Sequence, residues 1–245
     1  MGHPLIIAMR GALQQAPENT IPAIEKAVKA GANMIALEVQ GTKDGAAIVL
    51  ADPSLNRTTN GDGKASRMTL KDIQALDAGS WYSAEFAKTK VPTLEEVLEE
   101  TGKKTGLLIQ MPSLRGNEAL EANILNALKP RAKSKLDVLA FTDSTELAAF
   151  KAKAPDFDYT LVLAENTAGF LLVEKSVKLG LTTIRPFRSQ TTADLMRQAK
   201  AKNLRVFTYF ADEEDEMSKL LELRVDGIVT GRLERLKKLL EEVPA

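Results

Sequence analysis

Few side chains in this chain can do covalent or proton-transfer chemistry. It has no cysteine and a single histidine, His3, which excludes thiolate nucleophiles, Cys-based zinc sites and Ser-His or Cys-His pairs. His3 precedes the first apolar run and reads as a solvated terminal residue. Schiff-base chemistry needs a buried lysine, and no strand read below carries one at an inward position. What remains is Glu38, two residues beyond Ala36 in the apolar run 34–39, with Arg10, Arg185 and Arg188 elsewhere. A carboxylate enclosed by Met9, Phe141 and Phe210 would be desolvated and a stronger base, suited to taking a proton from carbon. The competing reading pairs Glu38 with Arg10 or Arg185, and the arginines could also hold an anion such as a phosphate group without turnover. Gln110 either orients a ligand through its amide or fills space.

Whether these residues meet depends on the elements that carry them. Short runs rich in β-branched residues fall at 5–9, 34–39, 106–111, 138–142, 159–163, 182–186, 205–210 and 227–230, separated by amphipathic stretches. Eight βα units predict a (β/α)8 TIM barrel, whose sites gather at the C-terminal ends of the strands. Thr93 with Glu96, and Asp143 with Glu146, have the spacing of capping boxes. Gly31, Gly102 and Gly180 mark helix ends. The stretch from about 41 to 90 breaks the rhythm and reads as a small insertion between strand 2 and helix 2. Within it, Lys43-Asp44-Gly45 forms a hairpin turn that returns 47–50 to the mouth, with Ala51 beside the site.

The length of 245 residues suits one barrel domain spanning 1–245, and 44% hydrophobic with 27% charged residues gives a soluble globular profile. Lys plus Arg and Asp plus Glu both total 33, so no net field favours nucleic acid or a membrane surface, and neither is expected as a partner. No signal peptide or transmembrane segment is visible, which predicts a cytoplasmic or recombinant soluble protein. Charge and composition leave the oligomeric state open.

Several motifs together resemble one family. Ala8 to Ala12 followed by Pro17-Glu18-Asn19-Thr20, then Thr42-Lys43-Asp44-Gly45, Asp52-Pro53-Ser54-Leu55, Arg57-Thr58-Thr59-Asn60-Gly61, Leu76 to Trp81, Pro92 to Leu98 and Val225-Asp226-Gly227-Ile228 stand in the order seen in glycerophosphodiester phosphodiesterases. The resemblance covers essentially the whole chain. It implies a barrel that hydrolyses glycerophosphodiesters with two histidines and a divalent cation held by carboxylates at the strand ends. By the same resemblance the two histidines fall on Met9 and Ala51, the Glu-x-Asp metal pair on Ala36 and Glu38, and the Glu-x-Lys end of strand three on Gln110 and Pro112. Further family positions fall on Phe141, Thr208, Ala211 and Gly231.

These replacements predict a barrel without the family's proton-transfer groups and without its cation, so no cofactor is expected. They cluster at the mouth while the insertion and helix signatures stay close to pattern. That placement suggests a remodelled scaffold, engineered by computational design, whose rebuilt pocket takes a small, largely apolar molecule near Glu38. Its lining would be Met9, Arg10, Ala36, Ala51, Gln110, Pro112, Phe141, Arg185, Thr208, Phe210 and Gly231, with Glu38 as the one candidate base. The alternatives are a natural non-catalytic family member that binds a small molecule, and an active metal-dependent phosphodiesterase in an unusual register.

Overall fold

The computed structural model describes residues 2–132, 134 and 136–242. In chain order the elements are β1 (Leu5–Met9), α1 (Ile21–Lys29), β2 (Met34–Gly41), β3 (Ala47–Val49), α2 (Leu70–Gln74), α3 (Leu94–Thr101), β4 (Gly106–Gln110), α4 (Glu118–Leu128) and β5 (Val138–Phe141). They continue with α5 (Ser144–Lys153), β6 (Asp158–Leu161), α6 (Gly169–Lys178), β7 (Thr183–Ile184), α7 (Ala193–Ala201), β8 (Arg205–Tyr209), α8 (Glu214–Glu222), β9 (Gly227–Thr230) and α9 (Leu233–Glu242).

Eight parallel strands run in the order β6-β5-β4-β2-β1-β9-β8-β7, and β3 pairs antiparallel with β2. This is the expected (β/α)8 barrel, closed by backbone ladders except at the seam between β6 and β7. Side chains bridge the seam: Thr182 Oγ1 donates to Asp158 Oδ1 (2.9 Å), and Arg205 Nη2 donates to Asp158 Oδ2 (2.6 Å). β7 is short because Pro186 has no N–H to extend the ladder.

The pleat sends alternate residues to opposite faces, which divides the core in two. Inside the barrel sit Ile7, Met34, Ala36, Leu108, Val138, Ala140, Phe207 and Val229, capped by the partly buried Met9, Val162 and Tyr209. Between strands and helices lies a larger layer that includes Ile35, Leu37, Ile109, Leu139, Phe141, Val206 and Ile228. The interior is packed with side chains, so ligands can reach it only from the strand ends.

In the insertion, Thr42 N donates to Ala46 O (3.0 Å) across the expected hairpin turn, and β3 returns along β2 with Val49 opposite Val39. Ile48, Leu50, Leu55, Ala65, Ile73, Ala78 and Val91 form its own small apolar cluster. Leu50 N donates to Glu38 O (2.9 Å), which fixes Ala51 at the rim beside Glu38. The Thr93 capping box is reciprocal. Asp143 caps α5 through Thr145 N and Glu146 N, but Glu146 does not answer it. Its carboxylate instead accepts from Ser113 Oγ (2.9 Å) and Leu114 N (3.1 Å), which ties the loop after β4 to α5.

At the opposite end of the barrel, Arg131 and Asp137 form an ion pair whose side chains are 4% and 1% exposed. Arg131 donates from Nε to Asp137 Oδ2 and from Nη2 to Asp137 Oδ1, both 2.7 Å, and also reaches the Thr105 and Gly102 carbonyls. Asp137 Oδ1 further accepts from Leu107 N (2.9 Å). The pair is therefore fully hydrogen-bonded, the condition under which buried charge is tolerable.

Candidate functional site

The mouth is organised by the turn after β1. Arg10 has φ +56° and Gly11 φ +85°. The left-handed region disfavours a side chain, and a Cβ on Gly11 would lie 2.7 Å from the Ala23 carbonyl. Arg10 N donates to Ala36 O (2.7 Å) and Asn19 N donates to Arg10 O (2.9 Å). The unusual backbone at Arg10 thus holds its side chain over the end of β2.

There the guanidinium meets two carboxylates. Arg10 Nε and Nη2 each lie 2.9 Å from Glu38 Oε1, and Nη1 donates to Glu18 Oε1 (3.0 Å). Asn19 Nδ2 donates to Glu38 Oε2 (3.0 Å). Arg57, from the insertion, donates to both oxygens of Glu18 (2.7 and 2.9 Å) and to Asp52 Oδ2 (2.5 Å). Burial opposes the Arg10 charge, but Glu38 and then Glu18 outweigh it and hold the guanidinium above its ordinary pKa. The hydrogen bonds that Arg57 donates to Glu18, offset in part by burial and aided by Asp52, raise its pKa as well.

A second arrangement faces it across the barrel. Arg185 Nη1 donates to Gln110 Oε1 (3.2 Å), Gln110 Nε2 donates to Ala140 O (3.2 Å), and the Arg185 guanidinium lies 4.2 Å from the Tyr209 ring centroid. Burial pushes Arg185 below its ordinary value, opposed by the Tyr209 hydroxyl and Glu38. A guanidinium still carries its charge near neutral pH.

The structure brings Met9, Arg10, Ala36, Glu38, Gln110 and Arg185 to the inward face or rim of the strand ends. Ala51 is held at the rim, and Pro112 follows β4, where Met111 N donates to Ala140 O (2.8 Å). Gly231 is fixed by its N–H to Asp212 Oδ1 (2.7 Å). Phe210 is 39% exposed, its ring 5.3 Å from that of Tyr209.

Phe141 and Thr208 do not line the mouth. Phe141 packs into the helix layer, its centroid 5.5 Å from Phe150 and 6.2 Å from Tyr159. Thr208 Oγ1 lies 3.2 Å from Thr191 Oγ1, also behind the strand. Each lies one residue out of the inward register, and on β8 the inward residue is Tyr209. Glu38 therefore lacks the Phe141 surround, and its oxygens are shared with Arg10 and Asn19. Arg188 lies outside, on Glu216 Oε1 (2.6 Å).

Sequence reasoning missed Tyr209, Asn19, Arg57 and Asp52. Strict alternation from Phe207 would have found Tyr209. Arg57 stands in a quoted motif, but nothing local points to its partner Glu18, which it meets across 39 positions. Elsewhere, a cleft of about 610 Å³ between the α6 and α7 starts, lined by Glu165, Phe170 and Gln198 among others, contains none of the candidate residues.

The divalent cation that the resemblance implies does not fit the residues present. Glu38 already carries a guanidinium and an amide, and Gln110 Oε1 accepts from Arg185. Among the described residues no group of three His, Cys, Asp or Glu side chains is placed to hold a metal ion.

A model of the glycerophosphoryl diester phosphodiesterase family matches residues 10–235. A glycerophosphodiester phosphodiesterase of Caldanaerobacter subterraneus is 31% identical, with 97% of this chain and 98% of that protein covered. One from Bacillus subtilis is 30% identical over 93% of this chain and 83% of its own length. Among solved structures, an Oleispira antarctica phosphodiesterase in complex with the product sn-glycerol-3-phosphate superposes with a TM-score of 0.89 at 24% identity, covering 97% of each chain. That likeness confirms the fold.

Proposed function

Since this chain belongs to the glycerophosphoryl diester phosphodiesterase family, we propose that it is a member which binds a small molecule at the barrel mouth without hydrolysing a phosphodiester. The observation that carries this reading is the Arg10 guanidinium seated on both Glu38 and Glu18 at 2.9–3.0 Å. Hydrolysis of a phosphodiester needs a group to move protons and a means of offsetting charge on the phosphoryl oxygens. Met9 and Ala51 move no proton, and the carboxylate that could help hold a cation is neutralised from within the protein.

Under this reading Glu38 is a pairing residue. It anchors Arg10, whose remaining donors carry the network on to Glu18, Arg57 and Asp52. Both of its oxygens already accept hydrogen bonds, Oε1 from Arg10 and Oε2 from Asn19. A remodelled scaffold and a natural non-catalytic member make the same chemical prediction, because both rest on the residues at the strand ends.

Incubation of the unmodified chain with glycerophosphocholine and magnesium or calcium is the test. No glycerol phosphate or choline should be released above the enzyme-free rate. Metal-dependent turnover, abolished by chelation, would restore the phosphodiesterase reading.

A further inference from the structure

We propose that Arg185 is the anion-receiving group of this mouth and that it binds a small oxyanion without any metal ion; the inference deepens the small-molecule reading above and rests on it. The argument is an accounting of guanidinium donors. Arg10 and Arg57 spend theirs on Glu18, Glu38 and Asp52, and Arg188 spends its own on Glu216 and the Phe210 carbonyl. Arg185 makes one hydrogen bond, 3.2 Å long, to a neutral amide, and among the described residues no carboxylate lies within 4 Å of it. Among the described residues its Nε and Nη2 have no protein acceptor. Neither atom is among the fully buried polar atoms without partners, so each keeps some exposed surface.

Position 110 makes the difference. A carboxylate there would close an ion pair with Arg185, whereas Gln110 accepts one N–H and leaves the charge uncompensated. The Arg185 guanidinium carbon lies over the Tyr209 ring at 4.2 Å, and a guanidinium fork suits an oxyanion with two oxygens in line. Glu38 is the nearest repelling charge, and Arg10 offsets it. The positive charge facing a ligand thus comes from a side chain on the β7 end rather than from a bound cation. The chemistry fits a phosphate or a carboxylate group on a small molecule, with the Tyr209 ring beside it.

The test is NMR of the arginine Nε–Hε signals during titration with inorganic phosphate in the presence of EDTA, repeated with acetate. Arg185 should shift saturably with phosphate, with acetate or with both, and the stronger of the two identifies the oxyanion. Gln110→Glu, which keeps the shape of the site, should weaken binding by about 10- to 100-fold, the range for losing a charge-assisted contact. Arg185→Gln, checked for an unchanged fold by circular dichroism, should abolish it. No saturable shift at Arg185 with either ion, binding that requires magnesium, or binding unaffected by Gln110→Glu would overturn the proposal. These outcomes are independent of the hydrolysis assay: turnover in magnesium overturns the non-hydrolytic reading whether or not phosphate binds in EDTA.

Discussion

Installing Met9→His, Ala51→His, Ala36→Glu, Glu38→Asp, Gln110→Glu and Pro112→Lys together should raise glycerophosphocholine hydrolysis from background by at least about 10⁴-fold, since each positioned proton-transfer group is commonly worth about 10² to 10⁴. The geometry says why single changes will not suffice. Met9, Ala36 and Gln110 stand at the ends of β1, β2 and β4, and Ala51 is held at the rim by the Leu50–Glu38 backbone bond, so the altered positions converge on one space. Glu38→Asp withdraws its carboxylate by one methylene from Arg10, which releases oxygens for a cation. The new carboxylate at position 110 would, however, face Arg185, and a further Arg185→Gln should raise magnesium affinity again. Steady-state kinetics with magnesium or calcium checks the claim. A folded six-residue variant that stays at background would show that these positions are not the family's catalytic ones.

The second large effect concerns stability. Asp137→Ala should cost about 3–5 kcal/mol, because it strands the Arg131 guanidinium, 4% exposed, without its counter-charge. For a chain of this size that corresponds to a fall in Tm of roughly 10 °C. The double change Arg131→Met with Asp137→Leu should recover most of the loss, since removing both charges also removes the cost of burying them. Thermal unfolding of the two variants is the measurement, and equal losses in single and double variants would contradict the argument. The mouth pairs should respond more weakly: Arg57 and Asp52 are 45% and 41% exposed, and solvent screens them.

The barrel could be read from the chain because its signals are local and repeated. Leu5–Met9 and Gly227–Thr230 fall where the β-branched runs place them, and the Thr93 cap and the 42–46 turn are written in adjacent residues. The faces of some strands could not be read. Val138 to Phe141 is apolar throughout, so its period does not say which residues point inward; Phe141 reads equally as a mouth residue, and it packs on α5. On β8 the aromatic Phe207 and Tyr209 take the inward positions and Thr208 the outward one, a register that alternation alone would have supplied. Glu38 was legible as the one inward carboxylate and its pairing with Arg10 was one of two readings. The extension to Glu18, Arg57 and Asp52 was not, because those pairs join the β1 turn to an insertion whose path is set by tertiary packing. The seam between β6 and β7 likewise depends on Asp158, Thr182 and Arg205 meeting in space.

The central claim is that Arg10 holds the Glu38 carboxylate where a divalent cation would need it. Side-chain carboxyl NMR of Glu38 during titration with magnesium, and then calcium, tests this directly. The Glu38 resonance should stay unmoved up to millimolar cation, with the Arg10 Nε–Hε signal likewise unchanged. A saturable shift of Glu38 accompanied by release of Arg10 would contradict the account and return the mouth to a metal site.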